Sequence, residues 1–198
     1  WAPEGEQEIF SLDEMIKIWD PARISKSPAI FDPLKLRAIN AAYIRALPAE
    51  EFRKLADPFI DQAVHVQIDR DLLCANLQPR CEVLEDIPPQ LDFFDAVLPI
   101  DAEMYRNKKQ KTTPESAKEA LSALLPVLEA QTDWSRDAIF EACKQKAEAM
   151  EKKNGWLLFP LGIALSGKAR TPGGGTDLAA MMGKEETLRR LNAAIEAL

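Results

Sequence analysis

Apolar residues along this 198-residue chain recur at three- and four-residue intervals, and sustained two-residue alternation is missing. Ser11-Leu-Asp-Glu14 has the form of a capping box, and Met15, Ile16 and Trp19 make the stripe of the helix it opens. Asp32-Pro33 supplies an N-cap and a first-turn proline for a helix striped by Leu36, Ile39, Tyr43 and Leu47. Pro48 starts the next, over Ala49 to Ala56, with Glu50 and Glu51 where the macrodipole favours carboxylates. Asp69 caps Arg70 to Leu77, and Pro79 stops that segment. Thr113-Pro114 opens a longer helix with Leu121, Leu124, Leu125 and Leu128 on one face. Ser135 caps another, with Ile139, Cys143, Ala147 and Met150 inward, Lys144, Lys152 and Lys153 outward, and Asn154-Gly155 as a left-handed end. Trp156 to Leu165 follows, with Pro160 placed in a first helical turn, and Thr187 to Leu198 closes on Leu188, Leu191 and Ile195. Val64-His-Val-Gln-Ile68 alternates, but it is short and isolated. The pattern predicts an all-α fold.

Pro79, Pro88-Pro89 and Pro99 crowd the middle of the chain among Leu, Ile and Phe, which a flexible linker would lack. They predict two helical bundles meeting near residues 79–99. Arg106-Asn-Lys-Lys-Gln-Lys111 reads as a basic, solvated tip. Near the C-terminus, Leu165-Ser-Gly-Lys-Ala-Arg-Thr-Pro-Gly-Gly-Gly175 is a cationic glycine-rich loop, followed by Met182-Gly-Lys-Glu-Glu-Thr-Leu-Arg-Arg190. Little side-chain bulk, free N–H groups and the flanking Lys168 and Arg170 suit an anionic, irregular surface such as a single-stranded RNA loop. A glycine turn whose charges face water is the competing reading.

Composition narrows the chemistry. Cys74, Cys81 and Cys143 are too few and too irregularly spaced for a disulfide framework or a zinc cluster, and read as reduced, mostly buried thiols of the cytosol. The single histidine, His65, sits between valines and reads as structural, so zinc sites and histidine-based triads lack parts. The net charge of −7 is uneven: residues 1–100 carry 10 Lys/Arg against 18 Asp/Glu, and residues 101–198 carry 15 against 14. An acidic protein binds nucleic acid when its cations gather on one face. No run approaches the ~18 apolar residues of a membrane span, and no signal peptide is evident. The chain opens on Trp1 and looks cut from something longer.

Several blocks share an order with one known family. Pro3-Glu-Gly-Glu-Gln-Glu-Ile-Phe10, Ile24-Ser-Lys-Ser-Pro-Ala-Ile-Phe-Asp32, Leu36-Arg-Ala-Ile-Asn40, Tyr43-Ile-Arg45 and the Leu165-to-Arg190 block together resemble the C-terminal part of bacterial glutamyl-tRNA synthetases. The resemblance implies a class I aminoacyl-tRNA synthetase whose helical C-terminal region grips the anticodon stem and loop. It implies the end of a stem-contact region over residues 1–48, and anticodon-binding helical subdomains over 49–92 and 93–198. The catalytic domain of the family lies upstream, so no catalytic residue is expected here and the chain alone should be inactive. ATP and Mg would serve the parent's catalytic domain, with no cofactor and no metal in this chain. The implied partner is tRNA accepting glutamate, with glutamine-accepting tRNA left open, met in the cytoplasm by a monomer without membrane contact. Arg23-Ile-Ser-Lys-Ser27 imitates the mobile lysine loop of class I synthetases, but its His-x-Gly-His partner is missing and a structural turn is expected.

Site roles follow from the same resemblance. Gln78-Pro-Arg-Cys81 matches the family's Pro-Arg turn, whose arginine reads the third anticodon base, and this points to Arg80. Guanidinium suits the role through paired planar donors and a permanent charge. Thr171, Pro172 and Gly173 match the loop against the middle anticodon bases, with Lys168 and Arg170 on phosphates. Lys35 sits where relatives touch the tRNA backbone. Two departures stand out: Gly162 replaces an arginine found after Pro-Leu in many relatives, and Gly174-Gly175 replace a bulky pair in some. Trp156 and Phe159 suit core or RNA equally. An all-helical protein-interaction or scaffold domain is the alternative function.

Overall fold

The computed structural model describes residues 3, 5, 7–24, 26 and 30–198. Parts of the Pro3–Phe10 and Ile24–Asp32 blocks, and Ser25 and Ser27 of the lysine-loop imitation, lie outside the described residues. Among the described residues the regular elements are helical, as expected, joined in the middle by short 3-10 turns.

Four helices form the first half: α1 (Leu12–Ile18), α2 (Pro33–Ala46), α3 (Ala49–Ile60) and α4 (Arg70–Leu77). The capping logic holds atom by atom. Ser11 and Glu14 form the reciprocal box, Asp32 Oδ1 accepts from the amides of Leu34 and Lys35, and Asp69 accepts from Leu72. The stripes fare differently. Met15, Ile16 and Trp19 of the α1 region are exposed, and nothing in α1 is buried. On α2 the buried residues are Ala41 and Ile44, while Leu36 and Tyr43 face outward. Apolar residues occur on more than one face of α2, so spacing alone did not choose the face the core would take. Helix α3 continues past Ala56 to Ile60 despite Pro58, because Phe52, Ala56 and Ile60 share one buried face.

The second half comprises α5 (Pro114–Ala130), α6 (Arg136–Ala149), α7 (Asn154–Ser166), α8 (Gly175–Met182) and α9 (Lys184–Ala197). Leu121, Leu124 and Leu128 of α5 are buried as predicted, among Leu157 and Leu161 of α7 and Leu191 of α9. Asn154-Gly155 does not end α6; it begins α7, and Pro160 therefore lies mid-helix rather than in the first turn. The helix stops earlier because Lys152 N–H returns to Ala147 O at 2.9 Å, with Glu151 left-handed at φ 55°. Gly155 lies against the end of the Gln110 side chain, which would have to swing aside for a Cβ at that position. Helix α8 had no sequence expectation; its start is hidden in the glycine run.

Polar links lock the halves together. Asp69 N–H donates to Met181 O at 3.0 Å, tying α4 to α8, and Lys184 Nζ reaches Glu129 O at 2.6 Å and Gln131 O at 2.8 Å, closing the C-terminal end of α5. The three cysteines are buried free thiols; burial pushes Cys74 and Cys81 up to about 11 and Cys143 to about 12, which keeps them protonated. His65 and the amides of His65 and Val66 turn toward Asp95, a local clasp that fits the structural role expected of the histidine. No helix among the described residues is long and apolar enough to cross a membrane.

Candidate nucleic-acid interface

Residues 91 positions apart open onto one cleft of about 630 Å³: Arg80 on one wall, Lys168, Arg170, Thr171 and Gly173 on the other, with Phe159 and Gly162 of α7 between. Arg80 ends a 3-10 turn, Gln78–Arg80, directly after α4. Gln78 Nε2 donates to Ile44 O at 3.0 Å and Leu47 O at 2.8 Å, so the same side chain closes α2 and anchors the turn that carries the arginine. The Arg80 guanidinium is exposed, and among the described residues its one partner is Thr171 O at 3.4 Å, a long bond that a better acceptor would displace.

The opposite wall grows from the end of α7. Gly167 takes the left-handed C-cap at φ +65°, and a Cβ there would fall 2.9 Å from Leu98 Cβ and O, so only glycine fits. Ser166 Oγ donates to Gly162 O at 2.7 Å and accepts Lys168 N–H at 3.0 Å, which fixes the turn. Lys168 is less available than expected: its ammonium donates to Pro89 O at 2.8 Å and pairs with Asp92. Arg170 is exposed, and among the described residues it has no ion pair.

The glycine loop also differs from the open backbone foreseen. Gly174 is exposed, but its N–H donates to Asp177 Oδ2 at 2.7 Å, and Arg136 Nε holds the other carboxylate oxygen at 3.0 Å. Thr171 Oγ1 donates to Gly173 O at 2.6 Å, leaving the hydroxyl's lone pairs to accept. Pro172 and Gly173 are buried beneath this bracket. Gly175 is a packing residue: a Cβ there would meet Leu158 O at 2.8 Å and Gly162 N at 2.9 Å, where α8 crosses α7. Gly162 itself has room, with Gly175 N 3.7 Å from a built Cβ. Gly175→Ala is therefore expected to cost about 1–3 kcal/mol, as overpacking does. Gly162→Ala should be neutral or stabilise by up to about 1 kcal/mol through helix propensity. Urea melts of both variants check the contrast; equal losses would remove the close crossing.

Beneath the cleft lies a residue whose role the sequence did not disclose. Arg190 of α9 is 1% exposed. Its Nη1 donates to Phe93 O and Leu165 O, both at 2.7 Å, its Nη2 to Phe94 O at 2.8 Å, and its Nε to Glu186 Oε1 at 2.6 Å. It thus ties the end of α7 to the Phe93–Phe94 turn, beside the Asp92 that holds Lys168. Hydrogen bonds from Arg189, then Arg190, hold the Glu186 carboxyl down at about 2, so it stays ionised. Lys35 is not brought to the cleft; it is exposed on the first turn of α2 and pairs with Glu8 at 2.7 Å. Trp156 lies at the far end of α7, 6% exposed, whereas Phe159 borders the cleft.

A family model described as an anticodon binding domain matches residues 40–195. Glutamate–tRNA ligases of Clostridium botulinum and Clostridium acetobutylicum are each 42% identical to the chain over its whole length, which spans 41% of theirs. The crystal structure of a glutamate tRNA ligase from Elizabethkingia meningosepticum superposes with a TM-score of 0.85 at 28% identity, covering 100% of this chain and 39% of that one. A glutamate-tRNA synthetase from Elizabethkingia anophelis gives 0.78 at 26% identity, covering 99% and 38%. A helical rack presenting an exposed arginine opposite a bracketed glycine turn, matched by the domain model over all but the N-terminal part, thus belongs to the anticodon-binding domain family in the form that glutamate–tRNA ligases carry.

Proposed function

We propose that the cleft receives the anticodon loop of tRNA accepting glutamate, and that this chain selects and positions the RNA for a ligase whose chemistry lies in the rest of the parent protein. The observation that carries the reading is the convergence on one cleft of exposed Arg80, the Thr171–Gly174 turn and Arg170, which has no ion pair among the described residues. Arg80 reads the edge of the third anticodon base, where a bidentate contact separates bases by about 1–3 kcal/mol. Thr171 Oγ1 and the backbone around Pro172 and Gly173 meet the middle bases, whose unstacked edges offer donors and acceptors. Arg170 takes a phosphate, while Lys168, paired with Asp92, sets the turn and lends its charge at short range. Lys35 touches RNA backbone farther from the loop, once Glu8 gives way.

Residues 1–48 act as the end of a stem-contact region, 49–92 as the first anticodon-binding subdomain and 93–198 as the second. The mutual packing of α3 with α4 and of α5 with α6, α7 and α9 supports that division. In the parent, glutamate and ATP react on Mg and the acyl group passes to tRNA. None of those steps is assigned to this chain. A monomer acting in the cytoplasm, on glutamate tRNA and with glutamine tRNA still to be tried, suffices for this role.

Binding of glutamate tRNA and of a non-cognate tRNA, titrated over a range of salt, tests the proposal. A preference of at least about tenfold for glutamate tRNA, on top of an affinity that falls with salt, is expected. Equal affinity for both RNAs would favour the scaffold alternative instead.

A further inference from the structure

A second cationic recess lies at the opposite end of α7 from the cleft. The Arg106–Lys111 turn and the α6–α7 turn enclose about 350 Å³ lined by Lys109, Lys111, Lys152 and Lys153, with Glu151 as the lining carboxylate. Both turns are built rather than loose. Asn107 and Thr112 exchange backbone hydrogen bonds at 3.1 Å, and Asn107 Oδ1 accepts from the amides of Lys109 and Gln110. The end of the Gln110 side chain then rests against Gly155, bringing the two turns into contact. Lys111 at φ 56° and Glu151 at φ 55° both hold the left-handed backbone that residues other than glycine rarely adopt, and both line this recess.

Most lysines here lack an ion pair among the described residues, Lys17, Lys54, Lys118 and Lys146 included, and what marks the recess is that four such groups line one space. Lys35, Lys144, Lys168 and most of the arginines pair with carboxylates. Among the described residues none of the four recess ammonium groups has an ion pair. Lys152 instead lies 5.1 Å from the centre of the Trp156 ring. No side chain caps the N-terminal amides of α7, which add partial positive charge to the same place. Crowded like charges with a single lining carboxylate repel one another, and a polyanion relieves that repulsion.

We infer that this recess is a second contact for the phosphodiester backbone of the same RNA whose loop enters the cleft, an inference that rests on the function proposed above. Lysines supply point charges for phosphate without reading bases, and Trp156 is covered, so no stacking platform accompanies them. Helix α7, 13 residues and about 20 Å long, starts at the recess and carries the cleft along its middle and C-terminal end, so one RNA arm can reach both. Contact here adds affinity without sequence preference.

The full chain carrying Lys109→Gln, Lys152→Gln and Lys153→Gln tests it; Lys111 is spared because of its backbone. Glutamate tRNA and a third-anticodon-base variant are titrated from low to moderate salt, with a thermal melt as the folding control. The expected result is about tenfold or more weaker binding at low salt, and a log–log salt slope shallower by about 2–3, near 0.9 per lost phosphate contact. The ratio between the two RNAs should not change. An unchanged slope, with wild type still preferring glutamate tRNA, overturns this contact alone. If wild type binds RNA without preference, the underlying reading fails and takes this one with it. Loss of poly-glutamate binding with RNA binding intact would reassign the recess to an acidic protein partner and equally overturn the inference.

Discussion

Arg190→Met is expected to destabilise the folded chain by about 3–5 kcal/mol, the usual cost of breaking a buried ionic hydrogen-bond network from one side. The variant leaves the carbonyls of Phe93, Phe94 and Leu165 without their donor, and each orphaned buried acceptor costs about 1–3 kcal/mol. For a domain of this size that lowers Tm by on the order of 10 °C. Arg190→Lys keeps the charge but loses the planar fork that serves four acceptors, so an intermediate loss is expected. Because the three carbonyls support the end of α7 and the turn beside Lys168, RNA affinity should fall even where the variant remains folded. The acid limb provides a further readout. Glu186 is held at about 2 against an ordinary 4.5, so its contribution is complete above pH 4.5 and is lost as pH falls toward 2. With Arg190 gone, Arg189 alone holds that carboxylate, so the acid-dependent loss should be smaller and be complete at a higher pH. A melting shift of under 2 °C, with an unaltered acid limb, would show that the network contributes little.

Arg80→Gln is expected to act almost wholly on specificity. The guanidinium is exposed and its one hydrogen bond among the described residues is long, so folding stability should change by less than about 0.5 kcal/mol. Glutamine keeps an amide donor but loses the permanent charge and the fork. Discrimination between glutamate tRNA and a variant changed at the third anticodon base should therefore shrink by ten- to hundredfold, about 1–3 kcal/mol. Binding of the third-base variant itself should weaken only a few-fold, by the loss of one charge. Competition titrations with both RNAs measure the two quantities together. Equal weakening for the two would reduce Arg80 to a phosphate contact.

Caps and prolines were legible in the sequence because they act over three or four residues. Ser11, Asp32, Asp69, Thr113 and Ser135 each cap the helix that their spacing announces. Ends governed by longer-range geometry were not: Gly155 looked like a helix terminus, yet it lies in the first turn of α7. Gly175 likewise looked like open loop and proved to be the crossing point of α7 and α8. Arg80, Thr171 and Gly173, which the motif resemblance singled out 91 positions apart in the chain, border one cleft, while Lys35, given a separate contact with RNA backbone, lies away from it and pairs with Glu8. Arg190 stood in plain view within a charged helix, where burial is the exception for arginine, so no pattern of spacing distinguished it from Arg189.

Sequence alone determined that this chain is helical and where most of its helices begin. Those properties come from hydrogen bonds and charges between near neighbours, which a linear string displays directly. Tertiary structure decided which face of α2 is inward, which glycines are spacers between helices, which cations are already neutralised, and that Arg80 and Arg170 border one cleft while four lysines gather at the other end of α7. Each of these depends on groups far apart in the chain, and their pairing is set by how the core packs.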